Sequence, residues 1–157
     1  MPNLLLPREV SNRYEGNKLA LLAFIPLVGV TIARSLIHIL RADGGAQSIA
    51  TIPLDSYAPA ASGAVITIFA LWGLSQLLLG LLYMIVLLRY RALVPLMYLT
   101  MLIEYLGRIG IGLWKPLETL QTPPGARLNI AMVAIAMLML TLSLRQNRPL
   151  HEAQAQN

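Results

Sequence analysis

The 157-residue chain has no cysteine, which removes disulfides, thiolate metal sites, thiol nucleophiles and CxxC redox chemistry together. It is also short of charge. Asp, Glu, Lys and Arg make up 12% of the residues, roughly half the share of an ordinary soluble domain. Histidine is nearly missing: His38 lies in an apolar run and His151 in the hydrophilic tail. A bis-histidine haem between helices therefore has no second ligand, and one histidine with one carboxylate falls short of the three or four ligands a metal site takes. No Ser–His–Asp set, phosphate-cradling glycine loop or HExxH pattern occurs. The expectation is that the chain holds neither metal nor cofactor.

What the chain does have is apolar sequence. Hydrophobic residues make up 57% of it and the mean hydropathy is +0.66. That excludes an ordinary soluble globule, and also a disordered chain, which needs low hydrophobicity and high net charge. A bilayer core of about 30 Å needs about 20 mainly apolar helical residues, and four runs qualify, at about 19–40, 62–88, 95–114 and 127–144. The predicted fold class is all-α: a polytopic integral membrane protein, an antiparallel bundle of four transmembrane helices forming one domain over 1–157. The second run amounts to roughly 40 Å of helix, longer than the core, which predicts tilt or a projecting turn. Pro95 suits a first helical turn and Pro116 a stop. The first run is read as an uncleaved helix and not a signal peptide. Its polar lead-in is long, and Thr31-Ile32-Ala33 is a poor cleavage site.

Net charge is +5, from 12 Lys and Arg against 7 Asp and Glu. Where the cations sit explains this surplus. Arg8, Arg13, Lys18, Arg89, Arg91, Arg145 and Arg148 flank one side of the crossings; Arg41, Lys115 and Arg127 flank the other. The bias predicts cytoplasmic N and C termini, with the cations meeting anionic lipid headgroups. Nucleic acid is not an expected partner, because no basic surface interleaved with aromatics is available.

Ionisable side chains at membrane depth cost several kcal/mol, so each needs a partner or a purpose. Glu104 lies about 14 Å into the third run, and Arg108 one turn further on the same face. Arg34 lies about 22 Å into the first run, with His38 and Arg41 continuing its face. The predicted polar pocket is Arg34, His38, Gln76, Glu104 and Arg108. In it Glu104 is the candidate catalytic acid/base, held by Arg108 and Arg34, with His38 near the outer mouth and within reach of water. Tyr83, Trp72, Tyr105 and Asn129 are candidates for its walls. The competing reading is an ion pair that fixes helix rotation and binds nothing; interhelical polar contacts of this kind average about 0.6 kcal/mol. Gly73 and Gly80, seven apart and so on one face, are expected to admit a neighbouring helix closely, and Gly107, Gly110 and Gly112 to serve similarly. Met132, Met137 and Met139 read as core filler or lipid contact, and Tyr57, Tyr90, Tyr98 and Trp114 as interfacial aromatics.

Gly73–Gly80, then Arg89-Tyr90-Arg91, then Gly107-Arg108 with further glycines resembles the small DoxX-like four-helix membrane proteins of bacteria, over about residues 62–114. The resemblance implies a four-helix architecture in a bacterial cytoplasmic membrane and, for some members, association with membrane oxidoreductases. A thiol-based role does not carry over to a chain without cysteine.

Three functions compete. The first is a small accessory or scaffold subunit that binds lipid, a larger membrane complex or further copies of itself as a homo-oligomer; short loops and the lack of a catalytic constellation favour it. The second is an enzyme modifying a lipid or isoprenoid, with Glu104 as acid/base and the arginines positioning an anion. The third is a proton or small-anion transporter along the same residues. Against it, four short helices give little room for alternating access, and no pair of broken helices is evident.

Overall fold

The computed structural model describes residues 4–146. Arg148 and His151, which entered the charge bias and the exclusion of haem, lie outside the described residues. Four helices are long and apolar enough to cross a membrane, and among the described residues there is no strand. They are α1 (Lys18–Leu40), α2 (Pro59–Arg89), α3 (Val94–Trp114) and α4 (Pro124–Ser143). The fold is an all-helical membrane bundle. We call the end carrying Lys18, Arg89, Val94 and Ser143 the terminal end, and the opposite one the loop end.

Local chemistry sets the boundaries. Asn17 stays extended and its Oδ1 accepts the Leu19 amide at 2.8 Å, capping α1. Proline starts α2, α3 and α4, at Pro59, Pro95 and Pro124, where its missing N–H costs nothing. For this reason α2 begins three residues before the expected Ser62, and α4 three before the expected Arg127. Between α2 and α3, Tyr90 leaves helical geometry and Arg91–Leu93 form a single 3-10 turn.

With 31 residues, α2 is about 46 Å long and overshoots a 30 Å core by several turns. The α1–α2 connection wraps that overshoot. Ala46, Ile52 and Leu54 are buried against Val65, Ile66 and Phe69 of α2, and Ser62 Oγ donates to the Leu54 carbonyl at 2.9 Å. Gly44 and Gly45 take positive φ, +59° and +75°, to turn the chain out of α1. Asp43 fastens the turn by accepting the Gly45 amide at 3.0 Å and the Ser48 amide at 2.7 Å. Burial alone would push its carboxyl up, but these amides outweigh it and bring the pKa down to about 2. Thr51, at φ +57°, ties the two loop-end connections together. Its hydroxyl donates to Gln121 O at 2.8 Å, and its carbonyl accepts the Leu120 amide at 2.9 Å.

Helices pair as α1 on α2 and α3 on α4; α1 also touches α4, whereas α2 and α3 scarcely meet. The main core fills the terminal half, where Phe24, Tyr83, Tyr98 and Met101 are almost wholly buried. Phe24 meets the Tyr83 and Tyr98 rings at 5.8 and 5.4 Å. Tyr98, expected at or near an interface, lies about one turn into α3 and is buried within the bundle, its hydroxyl donating across to the Ala20 carbonyl of α1 at 2.6 Å. Residues 4–17 strap the terminal end: Ser11 O accepts the Ala92 amide at 3.2 Å, and the Asn17 amide donates to Leu142 O at 3.3 Å. In the loop-end half α3 and α4 lose their cover, and residues 110–118 of α3 and the following loop are all exposed.

Gly73 and Gly80 are the close-approach positions between α1 and α2. A Cβ at Gly73 would sit 2.8 Å from His38 Cβ, and one at Gly80 2.9 Å from Ile32 Cγ1. Gly107, Gly110 and Gly112 do not act this way: among the described residues, beyond their own chain neighbours and helix backbone, no atom lies within 4 Å of their would-be Cβ positions. The reason is the splaying of α3 away from α2. On α4, Met132 and Met139 face the core and Met137 faces outward.

Candidate functional site

The loop-end half, where the apolar core thins, holds the intramembrane charges. On α2, Phe69, Trp72, Gln76 and Tyr83 recur at helical spacing and so share a face. That face looks between α1 and α3. Arg34 reaches it from α1, and Glu104 and Arg108 reach it from α3.

Arg108 is the hub. Its Nε donates to Glu104 Oε1 at 2.9 Å, and one of its terminal nitrogens makes a second, short bond to the same oxygen. The i,i+4 spacing on α3 makes this pair almost automatic. The same nitrogen donates to Gln76 Oε1 at 2.7 Å, bridging the gap between α3 and α2. Arg34 donates to that Gln76 oxygen from the other side, at a long 3.4 Å. Gln76 is thus one acceptor shared by two guanidinium groups. The Arg108 guanidinium is sandwiched between aromatic rings, 4.9 Å from the Trp72 centroid and 5.2 Å from that of Tyr105. Arg34 lies 6.0 Å from the same Trp72 ring. A cation facing an aromatic ring is worth about 0.5–2 kcal/mol, more when desolvated. That offsets part of the cost of holding charge at this depth.

Charges do not balance in this cluster. Glu104 neutralises Arg108, and Arg34 is left with the carbonyl oxygen of one shared amide. Its Nε is buried and without a partner, as is the hydroxyl of Tyr83. Tyr83 is 1% exposed and within electrostatic reach of Glu104, Arg108 and Tyr105. A side chain in a helix leans toward the helix N-terminus, so the Tyr83 ring rises toward the level of Gln76. Two polar groups therefore sit beside the cluster with their hydrogen bonds unmade, and leaving such groups buried costs about 1–3 kcal/mol each.

The predicted pocket residues divide. Arg34, Gln76, Glu104 and Arg108 form one hydrogen-bonded cluster. Arg34 is not a partner of Glu104, however; it bonds Gln76, while both Arg108 bonds fall on the single oxygen Oε1 of Glu104. His38 is not at an open mouth. It is buried, its Nδ1 lies 2.7 Å from the Gly44 carbonyl and so carries the donated hydrogen, and its ring packs on Trp72 at 4.6 Å and Phe69 at 5.8 Å. It belongs to an aromatic layer above the cluster. Arg41 stays outside, largely exposed and 3.9 Å from Asp43. Asn129 of α4 is half-buried and makes no hydrogen bond to the cluster. Two functional features escape sequence reasoning. One is the capture of His38 by the Gly44 carbonyl, which depends on a turn. The other is the Phe69–Trp72–His38 layer, for which the i,i+3 spacing on α2 was the available signal. Among the described residues no group of three or more His, Cys, Asp or Glu is placed to hold a metal ion.

At the terminal end, a cavity of about 700 Å³ lies under the strap. Arg8, Glu9, Arg13 and Glu15 line it, with balanced charge. Comparison with protein-family models, with curated proteins and with solved structures finds no match to the chain.

Proposed function

We propose that the protein is a non-catalytic membrane subunit, of the accessory or scaffold kind, which binds the anionic group of a membrane amphiphile at Arg34, Gln76 and Arg108. The observation that carries this reading is the buried Arg34 Nε with no partner, in a cluster of two guanidinium groups and one carboxylate. An unpaired cation at membrane depth is costly unless an anion accompanies it. An acid/base role for Glu104 has less support, because its Oε1 accepts two bonds from the Arg108 guanidinium, which holds it as half of an ion pair. Transport along these residues has less support too, since an aromatic layer covers them on the side of α1 and α2.

The same reading places the protein in a bacterial cytoplasmic membrane with both described ends of the chain cytoplasmic, on the strength of the arginine bias and the DoxX-like pattern. A larger membrane complex or a second copy of the chain would cover the exposed loop-end half of α3.

The test is the set of lipids retained on purification in mild detergent, read by native mass spectrometry. The wild type should carry an anionic amphiphile. Arg34→Gln should lose it, while Arg41→Gln, altered outside the cluster, should keep it. A wild type with the same bound lipids as Arg34→Gln would refute the proposal.

A further inference from the structure

From the way the cluster is enclosed we infer that its ligand is a monoanionic, chain-bearing amphiphile that enters sideways, from the lipid at the loop end, through the slot between α2 and α3. This deepens the binding role proposed above and rests on it.

Along α1 and α2 the aqueous route is shut. The turn at Gly44 and Gly45 is pinned to His38, and the connection buries Ala46, Ile52 and Leu54 on α2. Beneath it Phe69, Trp72 and His38 form three mutually touching rings, with centroids 4.6–5.9 Å apart. That layer lies between the connection and the two guanidinium groups. A hydrated anion arriving along α1 and α2 would have to unpack it.

The lateral route is open. The backbones of α2 and α3 make few close approaches, and in this half Arg108 spans them, on Gln76 Oε1 at 2.7 Å and on the Trp72 ring at 4.9 Å from its centroid. The side chains of Glu104 and Arg108 keep 20% and 16% of their exposure although they sit at membrane depth. Gly112, one turn beyond Arg108 on the same face, has no neighbour within 4 Å of a would-be Cβ. This leaves a slot with cations at its back and lipid at its front. A headgroup can enter it while its chain stays in hydrocarbon.

Charge sets the class. With Glu104 and Arg108 paired, one positive charge remains, on Arg34. A carboxylate or phosphodiester headgroup matches it, whereas a diphosphate would bury excess negative charge.

The probe is intrinsic, because the chain has two tryptophans. Trp114→Phe leaves Trp72 as the sole emitter, against Arg108. The protein is reconstituted in phosphatidylcholine vesicles and exposed to brominated stearate, brominated phosphatidylglycerol, brominated phosphatidylcholine or aqueous iodide. Quenching by either anionic brominated lipid should appear at a far lower membrane fraction than quenching by brominated phosphatidylcholine, and iodide should quench little. Whichever anionic arm is stronger separates carboxylate from phosphodiester. Arg34→Gln should raise the half-quenching fraction about tenfold, the loss expected for one charge-assisted hydrogen bond. Should that variant not fold, Arg34→Lys should move the same way by less. Gly112→Leu, which fills the slot, should weaken quenching by both anionic lipids.

Equal quenching by all three brominated lipids would overturn the anion site itself, and with it the proposed function. Anionic preference that survives Gly112→Leu, together with strong iodide quenching, would leave the anion site standing and overturn the lateral route.

Discussion

Replacing Gly73 with alanine tests how closely α1 and α2 approach beside the cluster. The added Cβ would lie 2.8 Å from His38 Cβ, 3.1 Å from the Ser35 carbonyl oxygen and 3.2 Å from Ile39 Cγ1. Ordinary contact begins near 3.4 Å, so the nearest neighbour must retreat by about 0.6 Å. That neighbour is a Cβ fixed to the backbone, and no rotamer change moves it. The two helices must separate, and His38 then drags on Gly44 and Trp72. Overpacking of this kind costs about 1–3 kcal/mol. Alanine also gains up to about 1 kcal/mol over glycine in a helix interior, which would mask part of the loss. Gly63→Ala supplies the correction, since Gly63 lies in the same helix with nothing within 4 Å. In detergent, Gly73→Ala should melt roughly 3–10 °C below Gly63→Ala, from the usual few degrees per kcal/mol at this chain length. Gly80→Ala should fall between them, because its nearest neighbours, Ile32 Cγ1 at 2.9 Å and Thr31 Cγ2 at 3.3 Å, stand one bond beyond Cβ, where a small χ1 shift in these stiff β-branched side chains relieves part of the clash. Equal melting of Gly73→Ala and Gly63→Ala would refute the close approach, and with it the placement of His38 and Trp72 over the guanidinium groups.

Two further outcomes follow from the framework around the site. Tyr98→Phe removes the 2.6 Å hydrogen bond to Ala20 O while keeping the ring against Phe24. It should cost about 0.5–1.5 kcal/mol in a denaturation curve, and no measurable loss would mean that the bond does not tie α3 to α1. Asp43 has a carboxyl held near 2, below its usual 3.8, so its contribution is fully present above about pH 4 and fades as pH falls through about 2. Asp43→Asn should accordingly melt below wild type at pH 7, with the gap narrowing between pH 4 and pH 2; a gap independent of pH would contradict the role of the charged carboxylate.

Composition and hydropathy were enough to establish four crossings, because a 30 Å apolar slab imposes a length and polarity that side chains alone satisfy. Proline placement set the starts of α2, α3 and α4 to within a few residues. The Glu104–Arg108 pair was legible as well, since i,i+4 on one helix is local geometry. Which other helices meet that pair is a different kind of question. In lipid the outward faces of a bundle are as apolar as its interior, so hydropathy carries little information on which faces pack together. Hence Gly73 and Gly107 look alike in sequence, yet one lies against His38 and the other faces no neighbouring element among the described residues. Only the tertiary structure gives Gln76 to both arginines, withdraws His38 into the Gly44 turn, and leaves the Arg34 Nε without a partner. Those outcomes depend on the rotation and separation of α1, α2 and α3, which the crossings themselves do not constrain.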